Sequence, residues 1–327
     1  MRNLKRALSL ALALVMVLSM MVVGAGAVSV DDFSDADEIV NKEAVTVLAT
    51  LGVITGNDDG SYAPADTISR AEMSTIICRV LNGGKDPVLG ESVTNTYTDT
   101  ASHWAKNYIE YCTTLGIIAG KGDGTFDPEG DVTVAEAAKM VLVALGYNAG
   151  VENYVGANWQ INVDARANPL GLYDDLTYTT TSAPLTRDNA AQMLYNALDC
   201  DMVKYSVVLD TTSSTVISTT QLEVTDETLL EDKFNAVKVE AIVEGNEYAT
   251  VNSLNYASSE DAGETYLNVV SISNSKEINS SVPQDEQWKS ADGVYDVATD
   301  KDLLGQRVVV YVRYKDTVGY DEADALV

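Results

Sequence analysis

The amino-acid sequence predicts an α + β multidomain chain, with tandem helix–turn–helix repeats in its first half and an antiparallel β domain in its second. Three observations carry that reading. One block of motifs recurs at a constant offset through the first half. Apolar residues follow a three–four spacing up to about residue 204 and alternate with polar ones thereafter. A basic and then apolar leader stands before both.

The leader comes first in the chain. Arg2, Lys5 and Arg6 form a short basic end, and Leu8 to Val23 an almost unbroken apolar run. Ala25-Gly26-Ala27 then supplies the small-x-small pattern that signal peptidase cuts after. Residues 1–27 therefore read as a secretory signal peptide. An uncleaved anchor is the other reading, but the run is at the short end for a spanning helix. No later stretch is apolar enough to span a bilayer, so no membrane partner is expected after cleavage.

The chain has 21 Lys and Arg against 49 Asp and Glu, a formal net charge of -28. Removing the leader makes it more negative, because the leader holds basic residues and no acidic ones. Such a chain is a poor partner for nucleic acid, whose phosphates need Lys and Arg. It also cannot grip an anionic polymer by its overall field. A local cation still works, because charges beyond about 8 Å are largely screened at ordinary salt. Three cysteines, Cys78, Cys112 and Cys200, are spaced too widely for zinc or a disulfide framework. They read as buried free thiols, with one disulfide and a leftover thiol as the alternative.

The repeat is the strongest signal. Leu51-Gly-Val-Ile-Thr-Gly56 answers Leu115-Gly-Ile-Ile-Ala-Gly120, and Asp59-Gly-Ser-Tyr-Ala-Pro64 answers Asp123-Gly-Thr-Phe-Asp-Pro128. Ile68-Ser-Arg-Ala-Glu72 answers Val132-Thr-Val-Ala-Glu136. A degenerate third copy has Leu170-Gly171-Leu172-Tyr173 and Leu185-Thr186-Arg187-Asp188, with a Thr-rich insertion, Thr177 to Thr181, in place of the Asp-Gly turn. Ala44, Val47, Leu48 and Leu51 form one helical stripe. Gly52 and its counterpart Gly116 stop the first helices from the C′ position, where a positive φ is cheap only for glycine. The Asp-Gly pair then turns the chain, and the following Pro cannot continue a helix. Ser69 with Glu72, and Thr133 with Glu136, have capping-box spacing; Thr186 has only Asn189 at the partner position. The second helices would bury Met73, Ile76, Ile77 and Val80; Met140, Val141, Ala144 and Leu145; and Met193, Leu194, Ala197 and Leu198. A two-helix unit cannot bury such a stripe alone, whereas packed units can.

Phe33-Ser-Asp35, followed by these motifs in order, resembles a surface-layer homology (SLH) repeat. Tyr97-Thr-Asp99 with His103-Trp104-Ala105 makes the second unit the better match. The resemblance divides the first half into repeats at 32–84, 96–148 and, degenerate, 152–204, leaving 205–327 as the β-rich domain. It implies an all-α pseudo-threefold bundle that binds a secondary cell-wall polysaccharide, often pyruvylated, in grooves between repeats. It implies that Arg70, Arg187, His103 and Trp104 bind that polymer, with Trp159 as the third unit's counterpart of Trp104. Val134 stands where the second unit would have Arg, and the first unit lacks the His-Trp-Ala motif.

The residue types suit that chemistry. Arg70 and Arg187 follow an N-cap, where free backbone N–H groups and the helix dipole favour an anion. A guanidinium meets a carboxylate in two parallel hydrogen bonds; the plainer alternative is a surface ion pair of little consequence. Trp104 offers a flat face and an N–H to a sugar, or else pins its helix as a core residue. His103, the only histidine, reads as structural, since catalysis would need a nucleophile within reach. Glu72 and Glu136 read as caps. An EF-hand reading of the Asp-rich loops fails, because counting back from Gly60 and Gly124 puts Thr55 and Ala119 at the first ligand position. No cofactor, metal or catalytic residue is expected.

In the second half Val237, Val239, Ala241 and Val243 alternate with Lys238, Glu240 and Ile242. Ser206 to Leu209, Thr215 to Ile217, Tyr266 to Ile272 and Arg307 to Tyr314 read as further strands, together a sandwich or barrel. Scattered carboxylates there fit a solvated surface better than a paired glycosidase site. The expected function is non-covalent anchoring of a bacterial surface protein to the cell wall, not catalysis. The β region would be a spacer or display module, and neighbouring surface-layer subunits a further partner. The alternative is a wall-anchored polysaccharide hydrolase, its chemistry in the β half or in a missing extension.

Overall fold

A computed structural model describes residues 30–87, 95–210, 217–251, 261–273, 288, 290, 293–317 and 320–325. The leader lies outside the described residues, as do Thr215 and Val216 of one expected strand. Six α-helices lie among the described residues of the first half: α1 (Lys42–Thr50), α2 (Arg70–Leu81), α3 (Lys106–Thr114), α4 (Val134–Ala144), α5 (Trp159–Ala167) and α6 (Arg187–Leu198). None of the described helices is long and apolar enough to cross a membrane.

The sequence signals set the helix ends. Gly52 (φ 76°) and Gly116 (φ 72°) sit one residue beyond the C-caps of α1 and α3, in the left-handed region. Complete capping boxes open α2 and α4: Glu72 and Glu136 return a carboxylate oxygen to the backbone N–H and hydroxyl of Ser69 and Thr133. At α6 only half the box forms. Thr186 accepts from the Asn189 N–H, and the Asn189 side chain instead pairs with both backbone groups of Thr177.

The helices pack chiefly in three pairs: α3 lies on α2, α5 on α4, and α1 on α6. The residues before the three caps meet at the centre. Ile68 N–H donates to Leu185 C=O (2.9 Å), Leu185 N–H to Val132 C=O (2.8 Å), and Val132 N–H to Ile68 C=O (3.0 Å). This closed ring satisfies three buried backbone pairs at once. The predicted apolar stripes fill the core around it, with one exception: Ile76 is only partly buried. Cys78, Cys112 and Cys200 are buried free thiols in this core.

The expected boundary at 204 falls inside a strand. β1 (Asp201–Asp210) pairs antiparallel with β2 (Ile217–Thr228) as a separate hairpin. A short helix, α7 (Leu229–Phe234), follows where only β structure was expected. Its Leu229, Leu230 and Phe234 are buried in the helical core, so it caps the repeat. The remaining strands β3 (Ala236–Asn246), β4 (Thr265–Ser273), β5 (Val294–Tyr295), β6 (Arg307–Thr317) and β7 (Tyr320–Ala325) form one antiparallel sheet in the order β5-β4-β3-β6-β7. The described residues thus form a hairpin and a single sheet in place of the expected sandwich or barrel. The alternating residues of β3 bury Val237, Val239, Ala241 and Val243 against Trp288, Leu267 and Val312. The sheet's other face meets α6 through Tyr311, whose hydroxyl donates to that of Tyr195 at 2.8 Å.

Candidate functional site

Two clefts open on the helical half at equivalent places. The first, about 450 Å³, is lined by the Ile54–Asp58 loop, Tyr62, Glu72, Thr75, Ile76, Arg79, Trp104 and Arg187. The second, about 340 Å³, is lined by the 117–121 segment, Arg70, Glu136, Lys139, Met140, Tyr154 and Trp159. Each cleft draws on segments that lie far apart in the chain, which the sequence could not reveal. Arg187 therefore shares a cleft with Trp104, and Arg70 with Trp159. Val134, in the equivalent third place, is fully buried.

The loops that shape the clefts are built the same way twice. Asp35 accepts the Tyr62 and Ala63 backbone N–H groups, both at 2.7 Å; Asp99 accepts those of Phe126 and Asp127. Lost solvation works to raise the pKa of both carboxyls, but these amide bonds prevail and hold them below the ordinary range. Asp59 and Asp123 each accept the N–H and hydroxyl of the residue two positions on, closing Asx turns within the loops. Gly120 lets the Tyr97 ring close over the loop: a Cβ there would come within 2.4 Å of it. The sequence motif displayed Asp35 and Asp99, but their role needed the fold.

Both arginines lie over an aromatic ring and are partly tied to the protein. Arg70 stands 4.4 Å above Phe126 and donates from Nε to Phe126 C=O and from Nη2 to Ala119 C=O. Arg187 stands 5.2 Å from the Tyr62 ring centre, donates from Nε to Tyr62 C=O, and pairs through Nη1 with Glu72 Oε1 at 2.6 Å. Burial lowers the Arg70 pKa, with Glu136 and Asp127 opposing. One expectation fails here. The backbone N–H groups after each N-cap are not free for an anion. Those of Arg70 and Ala71 bond to Gly130 and Pro128, and those of Arg187 and Asp188 to Asp66 and Pro64. The neighbouring unit's loop has taken them, so any anion must be met by side chains.

Trp104 is 60% exposed, which rules out the core-residue alternative. His103 lines neither cleft. Its Nδ1 accepts the Ala105 N–H, its Nε2 lies 2.7 Å from Glu129 Oε1, and its ring stands 5.4 Å from that of Trp104. It fixes the start of α3. Lys139, which sequence reasoning passed over, holds its ammonium 5.6 Å from the Trp159 ring centre. Among the described residues no cluster of three or more His, Cys, Asp or Glu is placed to hold a metal ion.

Fold and clefts together define an α + β protein built on tandem helical repeats with paired clefts between the units. Residues 32–74 and 96–138 each match the family model of the S-layer homology domain. It is similar to a cell surface protein of Thermoanaerobacter kivui, 29% identical over 63% of this chain and 26% of that one. It is similar also to the middle cell wall protein of Brevibacillus brevis, 31% identical over 50% of this chain and 15% of that one. An amylopullulanase of Thermoanaerobacterium thermosulfurigenes is 28% identical over 51% of this chain and 9% of its own length. The chain thus spans about a quarter or less of each of these relatives. The matches mark it as a secreted bacterial protein of the cell wall or cell surface.

Proposed function

We propose that residues 32–204 form a pseudo-threefold bundle of three SLH units, at 32–84, 96–148 and 152–204. The bundle holds an exported surface protein on the cell wall without covalent attachment. The closed ring of hydrogen bonds through Ile68, Val132 and Leu185 and the cyclic exchange of helices support three equivalent units. The ligand is a secondary cell-wall polysaccharide with acidic, pyruvate-ketal-like groups, bound in the two clefts. The observation that carries this reading is their shared make-up: a guanidinium over an aromatic ring, an adjoining Trp, and a concave floor of backbone. Trp faces suit sugar rings, and a guanidinium suits a carboxylate.

The protein acts as an anchor and not as an enzyme, with the β region as spacer, display module or contact to neighbouring subunits. An anchor of this kind is separable from what it carries. A relative named amylopullulanase that matches over only 9% of its length keeps a carried hydrolase as the second reading. The test is retention of the chain from residue 28 onward on purified wall sacculi. The β half is kept, because α7 completes the helical core. Retention should vanish when the secondary polymer is stripped chemically, and in an Arg70→Ala, Arg187→Ala double variant that still folds. Retention surviving both treatments overturns the reading.

A further inference from the structure

The two clefts share a plan but differ in charge. In the Arg187 cleft two cations and two carboxylates line the wall: Arg79 and Arg187 against Asp58 and Glu72. Both guanidinium groups there already touch a carboxylate. Arg187 meets Glu72 at 2.6 Å, and Arg79 meets Asp86 at 2.7 Å. In the Arg70 cleft three cations, Arg70, Lys121 and Lys139, stand against one carboxylate, Glu136. Lys121 approaches Asp127 at 3.5 Å outside the lining set. Glu136 spends one oxygen on the capping box of α4. Arg70 hydrogen-bonds only neutral carbonyls, and its Nη1 has no hydrogen bond among the described residues.

Lys139 is the distinguishing group. It is half-buried, forms no ion pair among the described residues, and is held against the Trp159 face. Its counterpart in the other cleft is Thr75, which is neutral and spends its hydroxyl on the Ala71 carbonyl. Burial depresses the Lys139 pKa, against a smaller opposing pull from Glu136, so its charge lacks full solvation. An anion beside Arg70 and Lys139 would supply the missing counter-charge at the edge of a ring that stacks on sugar. In a chain of net charge -28, this is a local reversal of sign.

We propose that the clefts divide the labour: the one formed by Arg70, Lys139 and Trp159 takes a carboxylate-bearing sugar, and the one formed by Arg187 and Trp104 takes an uncharged sugar. Lys139 is the residue that sets this selectivity. The proposal rests on the glycan-binding reading above and refines its chemistry.

The test uses two probes of one shape, a hexose 4,6-pyruvate ketal as free carboxylate and as its methyl ester. Each is titrated into the ¹⁵N-labelled chain from residue 28. The indole N–H signals of Trp104 and Trp159, assigned with Trp104→Phe and Trp159→Phe, report each cleft separately. The Trp159 signal should saturate at least tenfold earlier with the carboxylate than with the ester, and added salt should shrink that ratio. The Trp104 signal should respond to the two alike. Lys139→Met, which keeps the apolar stem, should abolish the preference at Trp159. The same charge preference at Trp104, or none at Trp159, overturns the division while leaving glycan binding intact. A preference at Trp159 that survives Lys139→Met overturns the role of Lys139. If neither signal moves with either probe and sacculi do not retain the chain, the glycan-binding reading fails, and this inference with it. The ester comparison needs no variant, so poor folding of Lys139→Met does not remove the test of the division.

Discussion

Arg187 and Glu72 form an ion pair 2.6 Å long between two helical units that lie more than a hundred residues apart in sequence. Glu72 also closes the capping box of α2 with its other oxygen, so one carboxylate fixes a helix start and a neighbouring unit. The equivalent Arg70 hydrogen-bonds carbonyls instead and leaves Glu136 to its cap. Breaking a partly buried pair costs more than removing an unpaired cation, because the survivor keeps an uncompensated charge. A double-mutant cycle with Arg187→Ala and Glu72→Gln should give a coupling of about 1–2 kcal/mol by urea denaturation, discounted for partial exposure. The Arg70–Glu136 cycle should give roughly 0.5 kcal/mol or less. Equal couplings would show that the two clefts are electrostatically alike.

Trp104 separates binding from folding. Its exposed ring covers little of the core, so Trp104→Ala should change stability by only about 0.5 kcal/mol. The same change should lower retention on sacculi. A large loss of stability would restore the core role that the 60% exposure rules out.

Much of this was legible in the sequence for a physical reason. Capping boxes, C′ glycines and the three–four apolar stripe are local devices, and α1, α2, α3, α4 and α6 follow from them, whereas α5 carries neither cap. Relationships between units were not legible. No spacing in the chain says that Arg187 reaches Tyr62 or that α3 lies on α2, because those contacts are chosen by packing. The helix α7 is a different kind of omission. Thr228 and Glu231 form a complete capping box, and the Thr-x-x-Glu spacing was there to be read. It was masked by the β-rich composition around it. The loss of the expected free N–H groups at α2 and α6 is likewise tertiary, since their partners come from another unit's loop.

Acid should act through Asp35 and Asp99. Their folded pKa values lie below the ordinary carboxylate value near 4. A depressed folded pKa gives stability that is present above the unfolded pKa and is lost as pH falls through the folded one. Urea midpoints of the unmodified chain should therefore drop below about pH 4. An Asp35→Asn, Asp99→Asn variant should be less stable at neutral pH and flatter across that acidic window. Parallel profiles for the two proteins would show that these carboxylates do not drive the acid response.

Ala63 holds a φ of 54° where the equivalent second-unit residue is Asp127 at 62°. Alanine pays a steric cost in the left-handed region that glycine does not, and Asp offsets part of it through local hydrogen bonding. Ala63→Gly should therefore stabilise the chain by about 1 kcal/mol, less the entropy that glycine adds to the unfolded state. A rise in Tm checks this. A fall would mean that the loop's conformation is relaxed by the two Asp35 bonds.

Tyr311 on β6 donates to Tyr195 on α6, which donates to Glu43 on α1. Lys238 on β3 lies 4.9 and 5.5 Å from the two ring centres and pairs with Asp199. One cation thus serves two aromatic faces and a carboxylate, where half-burial makes each contact worth more than at an open surface. Lys238→Ala should loosen the sheet from the helices without unfolding either, since the hydrophobic cores on the two sides do not include it. Differential scanning calorimetry should then resolve a lower, separate transition for the sheet, and protease should cut first near residues 229–236. A single unchanged transition would show that α7, through Leu229, Leu230 and Phe234, is enough to couple the two halves.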